Sequence, residues 1–473
     1  MIHVNTNISS MVAARILSQQ DTLLNQSLQR LGTGFRINNG KDDPAGLIAS
    51  EGLRAEKRAI GAAMYNVTRA QNVVSSAEGG LDEVSKLLLE LEELIDKSAN
   101  EAGLSDSERN ANQLQIDAVL DSINRIATSN EFLGRKLLNG ELDYTTSAID
   151  TSDFTDVKIH SARIANGAYR TAIVEVTASA QVGTLTYSAS ATGAGTSTLE
   201  ITGNKGTEIL AFTSGTAIAT VASAIAQSTS MTGVSASVVS ATCLQFYSTQ
   251  YGGDEFVSVQ ALEGTFTVTG GDAGSNKDYG RDATVQVNGV TAVTDGLTAK
   301  LQTSTLSLAL ELSTTFGTTP GTSTFYITGG GADFMISPTV SLNGMASLGI
   351  QAVSTSGLGK GSIGYLSSLA SGQTNSVDSA NFTTAQEIIR AAQTQVSELR
   401  GRLGAFQKDT LTPTNNSLAV TLENISASEA NIRETDFAEE TSNLTRSQIL
   451  VQSAISVLKV ANAQPQAVLS LLG

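Results

Sequence analysis

The sequence predicts a mainly α protein, a coiled coil or helical bundle formed by the N- and C-terminal segments, with an inserted β-rich central region. Three observations carry this α+β multidomain reading. Apolar residues recur at heptad spacing through roughly the first 140 residues, and the same spacing returns in about the last hundred. Between them, from roughly 150 to 365, polar and apolar residues alternate in short runs punctuated by glycine.

Leu17, Leu24 and Leu31 lie seven apart, with Leu28 between them. This stripe is too narrow to form a core alone, and short isolated helices are marginal in water. A stronger seam follows at Val67, Val74, Leu81, Leu88 and Ile95, with Ala70, Ala77, Val84 and Leu91 in the second row. Ile116, Val119, Ile123, Ile126 and Leu133 continue the apolar face. The Gly103-Leu104-Ser105-Asp106 stretch reads as a turn between two antiparallel helices, with Ser105 or Asp106 as N-cap.

Thr-Leu-Thr-Tyr-Ser at 184–188, Thr-Phe-Thr-Val-Thr at 265–269 and Ala-Thr-Val-Gln-Val at 283–287 read as strands. Gly270-Gly271 and Gly329-Gly330-Gly331 read as turns. Ile218, Val221 and Ile225 mark one helical island over 217–227. Phe382, Ala385, Ile389, Ala392, Val396, Leu399, Leu403 and Phe406 then restore the helical stripe. It resumes beyond Pro413 at Leu411, Leu418, Ile425 and Ile432, one residue out of phase, so a local irregularity is expected there. A last stripe runs Phe437, Leu444, Val451 and Leu458, and the chain closes on Leu471-Leu472-Gly473.

The formal net charge of -16 argues against nucleic-acid binding, which needs clustered Lys and Arg. Cys243 is the single cysteine, and His3 and His160 match no metal spacing. There is no H-E-x-x-H, no Walker loop and no G-x-S-x-G elbow. The carboxylate pair Asp254-Glu255 sits among glycines and reads as a solvated turn. No enzyme activity and no cofactor are expected. The N-terminus lacks the basic region and unbroken apolar run of a signal peptide, and no stretch approaches a membrane span. On periodicity alone, an ordinary intramolecular coiled coil accounts for the ends as well as a polymer does.

Two blocks are more specific. The N-terminus resembles bacterial flagellin in Val4-Asn5-Thr6-Asn7 and in Leu31-Gly32-Thr33-Gly34-Phe35-Arg36-Ile37-Asn38-Asn39-Gly40-Lys41-Asp42-Asp43-Pro44-Ala45-Gly46-Leu47. The C-terminus resembles it in Arg433-Glu434-Thr435-Asp436-Phe437-Ala438-Glu439-Glu440, in Leu444-Thr445-Arg446-Ser447-Gln448-Ile449-Leu450, and in the Ala461–Leu472 block. The middle only looks like insert motifs of some flagellins, around Gly215–Val234 and Asp282–Gly289.

The resemblance implies a structural subunit that self-assembles into the flagellar filament, and three layers. Residues 1–44 with 433–473 would form inner-tube helices (D0), assembling through Leu17, Leu24, Leu28, Leu31, Phe437, Leu444, Val451, Leu458, Leu471 and Leu472. Residues 45–165 with 366–432 would form a helical D1 with a small β part, its bundle built on Val67, Val74, Leu81, Leu88, Ile95, Ile389, Val396 and Leu403. Residues 166–365 would form one or two β-rich outer domains. Arg36, Asn38, Lys41, Asp42 and Asp43 would make a spoke between D0 and D1, with an aspartate capping the helix that Pro44 opens. Arg36 and Lys41 are expected near those carboxylates.

The implied partners are further copies of the chain in a helical homopolymer, the flagellar export apparatus and a flagellin chaperone, and the filament cap and hook-junction proteins. Export through that apparatus, without a cleaved signal, would place the protein outside the cell. A vertebrate Toll-like receptor detects flagellins that carry a Gln-Arg pair before Val-Arg-Glu-Leu. Here the corresponding face is Leu89, Glu90, Leu91, Glu92 and Glu93, with Gln115 where a glutamate is expected, so weak activation is implied. A hook–filament junction protein shares helical termini of this type, and the Thr/Gly-rich middle also suits a surface-displayed, adhesin-like filament protein.

Overall fold

The computed structural model describes residues 6–100, 103–165, 168–193 and 195–472, without the side chains of 273 and 465–472. The helices are α1 (Ile8–Thr33), α2 (Pro44–Ser98), α3 (Asp106–Ser129), α4 (Ile218–Thr232), the short α5 (Thr314–Gly317), α6 (Phe382–Ala405), α7 (Thr412–Arg433) and α8 (Phe437–Leu472). They fall in two compact units. One comprises Met1–Thr68, Ile336–Val340 and Thr410–Gly473, and the other Arg69–Met335 and Ser341–Asp409.

In the first unit α1 pairs with α8, and the first half of α2 runs beside α7. Glu429 on α7 meets Arg54 at 3.6 Å and Lys57 at 3.4 Å, while Arg433 meets Glu51 at 3.4 Å. Ile60, Ala63 and Val67 are fully buried here, as is Leu411. Val67 and the stretches 45–68 and 410–432 thus belong to this unit, whereas the sequence assigned them to the bundle. The reason lies in α3. It ends at Ser129, and Asn130 Nδ2 donates to Ser76 O at 3.1 Å, so α2 has no third helix beside it before that point.

The phase slip at Pro413 has a physical origin. Residues Phe406–Leu411 form a π-helical turn, which inserts one extra residue into the helical register. Pro413 sits in the first turn of α7, where its missing N–H costs little.

In the second unit the rest of α2 packs with α3 and α6 around one apolar core. Val74, Leu81, Leu88 and Ile95 interlock with Ile116, Ile123, Ile389, Val396 and Leu403. Ser105 caps α3 through a reciprocal box with Glu108. Leu133, read as helical, lies instead at a hairpin turn between Glu131–Phe132 and Arg135–Lys136, with φ of 52° followed by Gly134 at 82°. The buried Gln113 is fully used: its Nε2 donates to Leu369 O and Asp117 Oδ1, each at 3.0 Å, and its Oε1 accepts from Val377 N. Residues 341–369 lie on this core through Leu348, Ile350, Val353, Leu366 and Leu369.

The β region holds two further cores, one nested in the other. A sandwich begins at Tyr144 and closes at Gly330. One sheet contains Arg170–Ala178, Gly321–Gly330, Thr284–Val287, Val290–Thr291 and Tyr144–Ser147. The other contains Phe154–Ala162, Leu306–Leu312, Thr298–Gln302 and Val293–Asp295. Phe154 meets Phe316 and Phe325 edge-on, centroids 5.7 Å apart in both pairs. The boundary expected at 165/166 therefore falls inside this sandwich, because Phe154–Ala162 is hydrogen-bonded to Leu306–Leu312.

The inner insertion spans roughly 183–279. Two four-stranded sheets enclose Leu185, Leu199, Ile201, Phe246 and Val257, with α4 packed by Val221 and Ile225. Tyr187 stacks on Phe266 with centroids 3.7 Å apart.

Leu88 is fully buried in the helical core. Leu88→Ala is expected to destabilise the second unit by about 2–5 kcal/mol, measured as a lower urea midpoint in denaturation followed by circular dichroism. An unchanged midpoint would mean the site collapses or is not a core position.

Candidate assembly surfaces

The α1–α8 pair is antiparallel. Asn7 Nδ2 donates to Ala461 O at 2.8 Å at one end, and Arg30 meets Glu440 at 3.4 Å at the other. The α1 seam runs Ala13, Leu17, Gln20, Leu24, Ser27, Leu31, and the α8 seam Glu440, Leu444, Ser447, Val451, Ala454, Leu458, Ala461. Both keep the three-four spacing of a coiled coil. Larger residues alternate with smaller or polar ones, so the helices approach closely but bury little apolar area per turn. Asp436 opens α8 as its N-cap, accepting from Ala438 N at 2.8 Å.

Two expected seam residues lie elsewhere. Leu28 is 50 % exposed, because Leu24, Ser27 and Leu31 occupy the buried face and rotate it outward. Phe437 is 57 % exposed, standing one turn before the buried Glu440. Leu471 and Leu472 lie on α8, but their side chains fall outside the described residues. The residues that sequence reasoning missed are Ala13, Gln20, Ser27, Glu440 and Ser447. Their signal was position in the heptad, which their small or polar character concealed. Ile8, Met11, Ile16 and Leu23 on α1 and Ile449, Val457 and Val460 on α8 remain exposed.

Between α1 and α2 the chain forms a tight connector. Arg36 N donates to Arg433 O at 2.8 Å and Thr435 N to Gly34 O at 3.0 Å, a short antiparallel bridge. Arg36 Nη2 donates to Ile432 O at 2.7 Å, so it binds a carbonyl rather than the expected carboxylates. The Arg433 guanidinium lies 4.8 Å over the Phe35 ring. Asp42 accepts from the N–H groups of Asn39 at 2.9 Å and Asn38 at 3.2 Å. Chiefly through Asn39, with Asn38 and the Lys41 charge adding, its carboxyl is held below the usual range. Asp43 is the N-cap of α2, accepting from Gly46 N at 2.8 Å. Gly46 leaves room for this cap: a Cβ would lie 2.4 Å from Asp43 Oδ2 and 2.8 Å from Ile37 Cδ1, so both side chains would have to shift. Asn38 Nδ2 closes the turn onto Phe35 O.

On the helical bundle, Leu89, Glu90, Glu93 and Gln115 are all exposed. Glu93 pairs with Lys97 at 2.6 Å, and Glu92 with Arg390 at 3.2 Å. The face is acidic, with its cations already paired within the chain.

His160, on the strand Phe154–Ala162, meets Arg402 of α6, which donates to its Nδ1. Burial first, and the Arg402 charge second, push the His160 pKa down to about 3. Burial also raises that of nearby Asp143.

Among the described residues no group of His, Cys, Asp or Glu could hold a metal ion, and no helix is long and apolar enough to cross a membrane. Glu255, just before the strand Phe256–Glu263, accepts from Asn204 Nδ2 at 2.9 Å.

Helical ends that complete one another around a β insertion, with apolar stripes left outside, define a structural subunit of an assembly. Family models agree. The bacterial flagellin N-terminal helical region matches residues 4–143, the C-terminal helical region 386–472, and the flagellin hook IN motif 198–250. The last contains the insert motif suspected at 215–234, while 282–289 lies outside it. Flagellin D of Vibrio anguillarum is 29 % identical over 491 residues, covering all of both chains. Flagellin C of Vibrio cholerae is 29 % identical over 487 residues, again covering all of both. Flagellin E of Vibrio cholerae is 41 % identical over 156 residues, 33 % of this chain and 41 % of that one. The chain belongs to the bacterial flagellin family and is a structural subunit of the flagellar filament.

The His160 environment sets a pH dependence. The unfolded ring takes up its proton near pH 6.5, and the folded ring only near pH 3. Stability is therefore intact above pH 6.5 and falls as pH drops toward 3. At about 1.4 kcal/mol per unit, and discounted for partial exposure, the loss is on the order of 3 kcal/mol. His160→Gln is expected to flatten stability against pH in this window, read from urea midpoints; a slope equal to the parent's would exclude His160 as the source.

Proposed function

We infer that the subunit polymerises through its two terminal helices, which are covered only by neighbouring copies. The observation that carries this is the paired seam of α1 and α8, whose outward stripes stay apolar on both helices. A lone monomer rarely leaves so much apolar surface open. Copies packed around an axis bury it, and that burial offsets the entropy of ordering the ends. Leu17, Leu24, Leu31, Leu444, Val451 and Leu458 hold the pair. Leu28 and Phe437 join the outward set that meets the next copy, and Leu471 and Leu472 are assigned to assembly by the family likeness alone.

Residues 1–44 and 433–473 are the inner tube in this reading, and Arg36, Asn38, Lys41, Asp42 and Asp43 stiffen its connector to the outer tube. The β lobes face away from the axis. The subunit performs no catalysis. It is exported by the flagellar apparatus with a chaperone on its termini, and it meets cap and hook-junction proteins at the filament's ends. The acidic face of Leu89, Glu90 and Glu93, with Gln115, lacks the cation of receptor-activating relatives, so it triggers the Toll-like receptor weakly.

Two measurements test this. Electron microscopy after acid or heat dissociation and neutral reassembly is expected to show helical filaments, and removal of the residues after Ile432 to abolish them. Filaments from the truncated chain would reject terminal assembly. In a cell reporter assay the receptor response is expected to fall well below that of an enteric flagellin; an equal response would refute the altered-face reading.

A further inference from the structure

The sandwich and the inserted lobe join through a narrow neck. Gln181 N donates to Arg281 O and Arg281 N to Gln181 O, both at 2.8 Å. One carboxylate oxygen of Asp282 accepts from Gly253 N at 2.9 Å on the lobe side and Gly296 N at 2.8 Å on the sandwich side. Glycines let the backbones touch: a Cβ on Gly280 would lie 2.4 Å from Gly252 O, and one on Gly296 2.4 Å from Tyr251 O. These contacts tie the two lobes together at the neck.

Beside this neck lies a cleft of about 610 Å³, within the size range of small-molecule sites. Gln181, Tyr251, Asp272, Asp278, Tyr279 and Arg281 line it. Tyr279 is 47 % exposed although Lys277 lies 4.4 Å from its ring centroid. Asp278 is oriented by Thr184 N, which donates to it at 2.6 Å. The wall therefore combines aromatic surface, carboxylate acceptors, a guanidinium and an amide that both donates and accepts.

This combination fits few ligands. Carboxylates disfavour a nucleic-acid backbone, and Ala180 and Val182 are too small to hold an apolar molecule. A sugar ring offers an apolar C–H face for a tyrosine and a rim of hydroxyls that both donate and accept. We propose that the cleft beside the Gln181–Arg281 neck binds a hexose-containing oligosaccharide. Tyr279 supplies the stacking surface, Asp272 and Asp278 accept from hydroxyls, and Arg281 and Gln181 donate to ring and hydroxyl oxygens. The site is complete in one chain, so it stands apart from terminal assembly and is tested on the monomer.

The experiment is saturation-transfer difference NMR on the full-length monomer with maltohexaose, chitohexaose and sialyllactose as probes. At least one is expected to receive saturation at its ring protons. Tyr279→Ala and, independently, Arg281→Ala are each expected to weaken that probe at least about tenfold with an unchanged thermal melt. Arg281 has an exposed side chain, so its variant keeps the test open if Tyr279→Ala does not fold. Saturation of none of the three probes, or undiminished saturation in the folded variants, overturns the proposal.

Discussion

A heptad stripe covers one side of a helix and leaves that side wet until another helix meets it. In this chain most of the helices that meet come from opposite ends. α1 is completed by α8, the first half of α2 by α7, and the second half by α3 and α6. The chain must therefore leave the helical region and return to it. Everything between 144 and 330 is an excursion that begins and ends at the same base, and the lobe over 183–279 is an excursion within that one. Nesting follows from closure of the outer pairs, and only the necks need special backbone chemistry.

The pairs are not equally strong. In the bundle most seam positions carry Val, Leu or Ile, with Ala77, Ala385 and Ala392 between them, nearly all fully buried, and each large apolar side chain contributes roughly 1.5–3 kcal/mol. In the α1–α8 pair every second seam position is Ala, Ser, Gln or Glu, and the leucines are only half-buried. The terminal pair gains little from its own seam. A second set of apolar side chains, among them Ile8, Met11, Ile16, Leu23, Ile449, Val457 and Val460, points away from that seam.

The connectors show how short polar segments are made rigid without a core. Asp42 and Asp43 each satisfy backbone N–H groups within four residues, and Arg36 and Arg433 reach across the returning strand. At the inner neck one carboxylate, that of Asp282, does the same for two loops from different lobes. At the inner neck the backbones lie too close for side chains, and glycine is the residue that permits it.

Read without coordinates, the residues already determined the helical ends, the β character of the middle, the Ser105 turn and the one-residue slip near Pro413, because periodicity and capping are local properties. The family likeness also resided in linear motifs. Tertiary structure alone decided that Leu28 and Phe437 face outward while Ser27 and Glu440 lie buried, since a seam is chosen by the partner helix and not by hydrophobicity. It also decided that the sandwich starts at Tyr144 and that Val67 sits with the terminal unit. Those boundaries follow from which strand bonds to which, and from where α3 stops, and neither is written in the local sequence.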